Sequence, residues 1–172
     1  DNLTYSCPDS ALQQIPEAIA QADLRGVLTR LPQGLQSQLG EGGALVSGGE
    51  GQRVRLARAL MQENVRLALL DEPFRGLARG QRAALMDEAR RHWRDATLLC
   101  ITHDVAETKT FDRVIVLENG RVAESGAPRM LARPGTRYHR LLAAEAEVRS
   151  SIWREQNWTR LTLEDGHVSR IA

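Results

Sequence analysis

Lysine is almost absent from this chain of 172 residues: Lys109 is the only one, and every other basic side chain is arginine. No GxxxxGK[ST] run occurs, and Lys109 follows no glycine loop, so a nucleotide cradle built on such a loop and its lysine is excluded from these residues. Cysteine is scarce too. Cys7 and Cys100 form no CxxC or other metal spacing; Cys100 lies in an apolar run, which predicts a buried, reduced thiol and a reducing compartment. No apolar stretch approaches the roughly 20 residues needed to cross a bilayer. Nor is there a surplus of either charge: 23 basic against 22 acidic residues leave a net charge of +1, which argues against nucleic acid as a partner.

What is present is ordinary in bulk, with 42% hydrophobic and 26% charged residues, and informative in its order. Residues 9–31 read as two short helices, with Pro16 in the first turn of one and Asp23 capping the next. Two glycine-rich stretches follow, Gly40-Glu41-Gly42-Gly43 and Ser47-Gly48-Gly49. From Glu50 the helical pattern returns, with Val54, Ala57 and Met61 on one stripe and Leu56 and Leu60 beside it. The apolar runs Leu67–Leu70 and Leu98–Ile101 are separated by a helix over 79–93 that carries Leu85, Met86, Ala89 and Trp93 on one side. Unbroken apolar runs on either side of a helix predict parallel strands buried on both faces. Val114–Leu117, Asn119-Gly120 and Arg121–Glu124 read as a tight hairpin. Short helices punctuated by Pro128 and Pro134 come next, the last over about 136–148, and residues 158–171 suggest a second small hairpin around Asp165-Gly166.

Three constellations bear on chemistry. Ser47-Gly48-Gly49-Glu50 stands immediately before a helix, where unpaired amides and the helix dipole attract anions and glycines admit a close ligand; the plainer alternative is a serine-capped helix after a flexible loop. Asp71-Glu72 follows a strand that delivers it to the carboxyl edge of a parallel sheet, where ligands bind in open α/β folds. There one carboxylate can hold Mg²⁺ through water and the next can deprotonate an attacking water; alternatively the strand simply ends in polar residues before Pro73. His103, past the second strand, falls on the same edge and can contact a terminal phosphate or polarise a nucleophile, or be merely structural.

Taken together, in order and spacing, these residues resemble the nucleotide-binding domain of ABC transporters. Val46-Ser47-Gly48-Gly49-Glu50-Gly51-Gln52-Arg53, continuing to Leu60, is similar to the family's signature segment, whose usual core is LSGGQ. The apolar strand ending Asp71-Glu72-Pro73 and the strand before the switch histidine, His103, follow in family order, and the resemblance covers roughly residues 2–145. Gln38-Leu39-Gly40-Glu41-Gly42-Gly43 is similar to the TxVGExG loop of exporters, although a glycine-rich spacer also describes it. The resemblance implies an α/β fold: a partial, P-loop NTPase-like parallel sheet flanked by helices, with the family's α-helical subdomain at the N-terminus. It divides the chain into that subdomain at 1–62, the second half of the ATPase core at 63–149, and an extension at 150–172.

It further implies ATP and Mg²⁺ as cofactors and a second nucleotide-binding domain as partner, in a homo- or heterodimer. Ser47, Gly48, Gly49 and Glu50 would cap the γ-phosphate of ATP held by the other cassette. Asp71 would serve Mg²⁺, Glu72 would be the general base, His103 would contact the γ-phosphate, and Glu41 would touch the transmembrane domains. The place of work would be the cytoplasmic face of the plasma (inner) membrane. Residues 1–6 are similar to the segment just after the family's Q-loop, and the first residue is Asp1 rather than Met, so the expectation is a chain that starts there without the phosphate loop and is inactive alone. Glu50 replaces the commoner glutamine, and Ala78 the aspartate customary in the D-loop. Two other readings stay open: a soluble family member acting on DNA or ribosomes, and a silent remnant that only binds a partner cassette.

Overall fold

A proline in the right place starts the first helix. The computed structural model describes residues 3–4, 9–39, 45–154, 160–164 and 167–171, and these divide into two compact units, Asp1–His103 and Asp104–Ala172. In the first unit a 3₁₀ turn, Asp9–Gln14, runs into α1, Ile15–Gln21, with Pro16 in the opening turn, where no helical N–H is needed. The chain reverses at Asp23, whose φ is +52°, into α2, Arg25–Arg30. Asp23 does not cap α2, contrary to the sequence expectation. Leu24 holds the N-cap position without a side-chain bond, because the Asp23 carboxylate is engaged elsewhere: Oδ2 accepts from Arg53 Nη1 at 2.9 Å and from Gln81 Nε2 at 2.7 Å.

α3 spans Gly48–Leu60 and buries Gly49, Arg53, Leu56, Ala57 and Leu60 against a core that includes α1. Val54, expected on the inward stripe, is only half-buried. The face is turned by one residue because Arg53 takes the inner position from which it reaches Asp23. Leu24, Leu60 and Met61 are almost wholly enclosed here, each contributing roughly 1.5–3 kcal/mol by leaving water.

β1, Leu67–Asp71, crosses through α4, Arg79–His92, to β2, Thr97–Ile101. The two strands are parallel, with Leu67 opposite Thr97 and Asp71 opposite Ile101, as the apolar runs predict. Leu85, Met86, Ala89 and Trp93 are all buried, also as predicted. Burial on both sheet faces is not what the unit shows. Ala68 and Leu70 are buried, but Leu67, Leu69, Leu99 and Ile101 are 43% to 59% exposed. Alternate strand residues point to opposite faces, and within this unit only one face is covered. Cys100 is accordingly half-buried rather than buried.

The second unit opens with a 3₁₀ turn, Val105–Thr110, followed by the hairpin of β3, Val114–Glu118, and β4, Arg121–Gly126. Asn119 and Gly120 both have positive φ, +51° and +73°, as a two-residue turn matched to strand twist requires. After α5, Pro128–Leu131, comes α6, Arg137–Arg154, whose start is capped by Glu124 through the amides of Arg137 and Tyr138 at 2.7 and 3.0 Å. The Tyr138 ring is enclosed, and its hydroxyl bonds Thr108 Oγ1 at 2.8 Å. β5, Arg160–Glu164, and β6, His167–Ile171, form the second hairpin; Trp158 and the expected Asp165-Gly166 turn lie outside the described residues.

Candidate functional site

Two places in the first unit gather the residues singled out in the sequence: the start of α3 and the carboxyl edge of the β1–β2 sheet. At the start of α3, Ser47 is extended and its Oγ accepts from Glu50 N at 3.3 Å, while Glu50 Oε2 accepts from Ser47 N at 2.9 Å. This reciprocal box satisfies two of the amides that a helix start leaves unpaired. The remaining Glu50 oxygen, Oε1, accepts from Arg30 Nη2. The Ser47 amide first, and then Arg30, hold the Glu50 carboxyl below the usual carboxylate range.

Gly48 is exposed and Gly49 buried. The reason for glycine at 49 is space. A Cβ there would land on Leu77 Cδ2 and lie 3.3 Å from Leu77 Cγ. The loop that follows β1 therefore packs directly on the first turn of α3, with the Leu77 side chain in the space a Cβ at position 49 would take.

The sheet edge is built by register. Asp71 is the last residue of β1, opposite Ile101, and the ladder continues one step through a bond from Glu72 N to Ile101 O at 2.9 Å. Glu72 then turns into the left-handed region with φ of +47°, which costs a non-glycine residue about 1–2 kcal/mol. Such strain persists only where surroundings enforce it, and it concentrates at functional positions. The turn brings Glu72 Oε1 to 2.6 Å from His103 Nδ1, with the histidine exposed and the glutamate about one-third exposed. An ionised carboxylate can only accept, so in that state Nδ1 carries the proton. Asp71 is exposed beside them.

The structure thus sets Asp71, Glu72 and His103 along one edge and Ser47, Gly48, Gly49 and Glu50 at one helix start. Glu41 and the glycines around it lie outside the described residues. Lys109 sits on the 3₁₀ turn of the second unit, not on a phosphate loop. Sequence reasoning missed Arg30 and Leu77, and gave Asp23 a different role. Arg30 is 20 residues from Glu50, and Asp23 is 30 and 58 residues from its two partners; no local pattern announces such pairs. Leu77 could have been suspected only from the glycine it requires.

The chain is similar to known proteins. The sequence profile of the ABC transporter family matches residues 5–75. Over 139 residues the chain is 36% identical to the glutathione/L-cysteine transport system ATP-binding/permease protein CydC of Escherichia coli strain K12, which covers 80% of this chain and 24% of that protein. It is 32% identical over 157 residues to the mycobactin import ATP-binding/permease protein IrtB of Mycobacterium tuberculosis strain H37Rv, covering 91% and 25%. Among solved structures, a bacterial Atm1-family ABC exporter with ATP bound matches with a TM-score of 0.77 and 30% identity, over 84% of this chain and 25% of that one. The chain therefore spans about a quarter of the length of the relatives it matches. With the signature-like helix start, the Asp71-Glu72 strand end and His103 in place, the chain belongs to the ABC transporter family, within its exporter-type nucleotide-binding domains.

Proposed function

We propose that this chain is part of the ATP-binding and ATP-hydrolysing domain of an exporter-type ABC transporter, driving transport by ATP-dependent pairing with a second nucleotide-binding domain. The observation that carries the reading is the 2.6 Å contact between Glu72 and His103 at the carboxyl edge of a parallel sheet, with Glu72 held in a strained turn. Both relatives named above are ATP-binding/permease proteins, which favours transport over action on DNA or ribosomes. The name of one of them says import, so the direction of transport is a property of each protein and not of this fold.

The residues present fit part of the nucleotide's needs. Asp71 is exposed at the edge and suits a water-mediated Mg²⁺ contact. No group of three or more metal-ligating side chains forms among the described residues, so most of the ion's ligands would be waters and phosphate oxygens. The lysine and glycine loop that hold β- and γ-phosphates have no counterpart in the sequence, and the chain alone would bind ATP poorly. Bound ATP would supply the reacting phosphoryl group.

Glu72 would take the proton of the attacking water. His103 would orient Glu72 through Nδ1 and face the γ-phosphate; while Nδ1–H is given to Glu72, Nε2 can donate to a phosphate oxygen only in the imidazolium form. Ser47, Gly48, Gly49 and Glu50 would close over ATP held by the partner domain, using the free amides at the start of α3. Glu41 would touch the transmembrane part, at the cytoplasmic face of the membrane. In the full-length transporter, Glu72→Gln should slow ATP hydrolysis by about 10²–10⁴ while ATP binding persists. Unchanged turnover would remove Glu72 from that role.

A further inference from the structure

A carboxylate at the third position of a helix whose start is to receive phosphate needs an explanation. Glu50 lies at that place, where glutamine would make the same hydrogen bond without the charge. The structure shows how the charge is handled. Both carboxylate oxygens are committed, Oε2 to the Ser47 amide at 2.9 Å and Oε1 to Arg30 Nη2, and the Glu50 side chain is 14% exposed. Arg30 is the last residue of α2, and it is tied down independently: its Nε donates to Gly26 O at 3.2 Å. The Arg30 side chain is 67% exposed and so keeps most of its surface in water. It therefore approaches Glu50 without suffering the desolvation that makes buried pairs expensive.

We infer that Arg30 is a positioning residue of the signature helix. It neutralises Glu50 and keeps its carboxylate folded back on the Ser47 amide, so that the start of α3 remains fit to receive an anion. This rests on the reading of α3 as the phosphate-capping helix. Without Arg30 the Glu50 charge would stand against the incoming phosphate, and the loss would fall on ATP affinity rather than on the chemical step at Glu72. The pairing also accounts for how this sequence carries glutamate where the family more often has glutamine: the compensating charge comes from α2, twenty residues upstream.

The test uses the full-length transporter and reads kcat and KM for ATP separately. Arg30→Gln should raise KM about three- to tenfold, the size of one partly screened charge, with kcat within about twofold of the parent. Arg30→Lys should recover most of the affinity, and Arg30→Gln combined with Glu50→Gln should return KM to near the parent value, because removing the carboxylate removes the need for the guanidinium. A KM unmoved by Arg30→Gln overturns the inference, even if the melting temperature falls, since that would mark a purely structural pair. So does a double variant as impaired as Arg30→Gln alone. A parent transporter that fails to bind ATP at all sinks the underlying reading, and the inference with it.

Discussion

α3 and α4 begin on nearly the same backbone and finish that beginning in opposite ways. The residue before α3, Ser47, has φ of −66° and ψ of 162°; the residue before α4, Ala78, has −62° and 146°. Both conformations are ready for a capping side chain. Ser47 supplies one and Glu50 answers it, whereas Ala78 has no oxygen to offer. Gln81, three residues on, stands where it could complete a box, but its amide donates to Asp23 Oδ2 at 2.7 Å instead. At one helix start side chains answer two of the amides, and at the other there is no side-chain cap. The capped one is the helix read as handling phosphate, and the uncapped one follows directly on Glu72 and its loop. Stability is thus concentrated where an anion must be met by fixed amides, while the loop beyond the candidate base is anchored by Leu77 on Gly49 rather than by a cap.

That anchor gives the largest effect by which the comparison can be broken. Gly49→Ala places a Cβ against Leu77 Cδ2 and Cγ, so the Leu77 side chain, and with it the seat of the loop, has to give way. Overpacking of this kind costs about 1–3 kcal/mol, and Leu77→Ala in the same chain should recover most of it. Urea unfolding of the four members of the cycle checks this; a Gly49→Ala chain as stable as the parent would show that the contact of Leu77 with position 49 does not anchor the loop.

A reciprocal exchange of caps sharpens the contrast. Ser47→Ala should destabilise by about 1 kcal/mol, and Ala78→Asp should stabilise by about 0.5–1 kcal/mol, as the usual worth of an N-cap dictates. Both are read from denaturation midpoints of the same chain. Equal and negligible shifts would mean that the two starts are energetically alike despite their different side chains.

Much of this was legible beforehand, for identifiable reasons. Strand ends at Asp71-Glu72 and Thr102-His103 follow from apolar runs that stop at polar residues. Parallel pairing then puts both ends on one edge, and the register of Asp71 opposite Ile101 brings Glu72 and His103 together. The cap at Ser47 is a local pattern, S-x-x-E in form apart from its glycines, and it reads directly. Asp23 did not. Its left-handed φ and its partners Arg53 and Gln81 depend on chain segments that meet only after folding. The sheet faces were misjudged for a related reason. An unbroken apolar run says what each residue prefers, but whether Leu67, Leu69, Leu99 and Ile101 find a cover is decided by other elements, and in this unit they do not.

The smallest expected effect separates the two halves of the α3 box. Glu50 accepts from the Ser47 amide and from Arg30 only while ionised at full strength, and its carboxyl is held below the ordinary value of 4.5. A depressed folded-state value means that the stabilisation is fully present above about pH 4.5 and is lost as pH falls through the lower, folded-state value. The parent chain should therefore exceed Glu50→Gln in stability by a constant margin from pH 7 down to about pH 5, and the margin should shrink steadily below that. Because Arg30 is largely exposed, added salt should remove its share of the margin and leave the share due to the Ser47 amide, which the Ala78 helix start has no means of matching. A margin that is independent of both pH and salt would place the stabilising effect in packing at position 50 rather than in its charge.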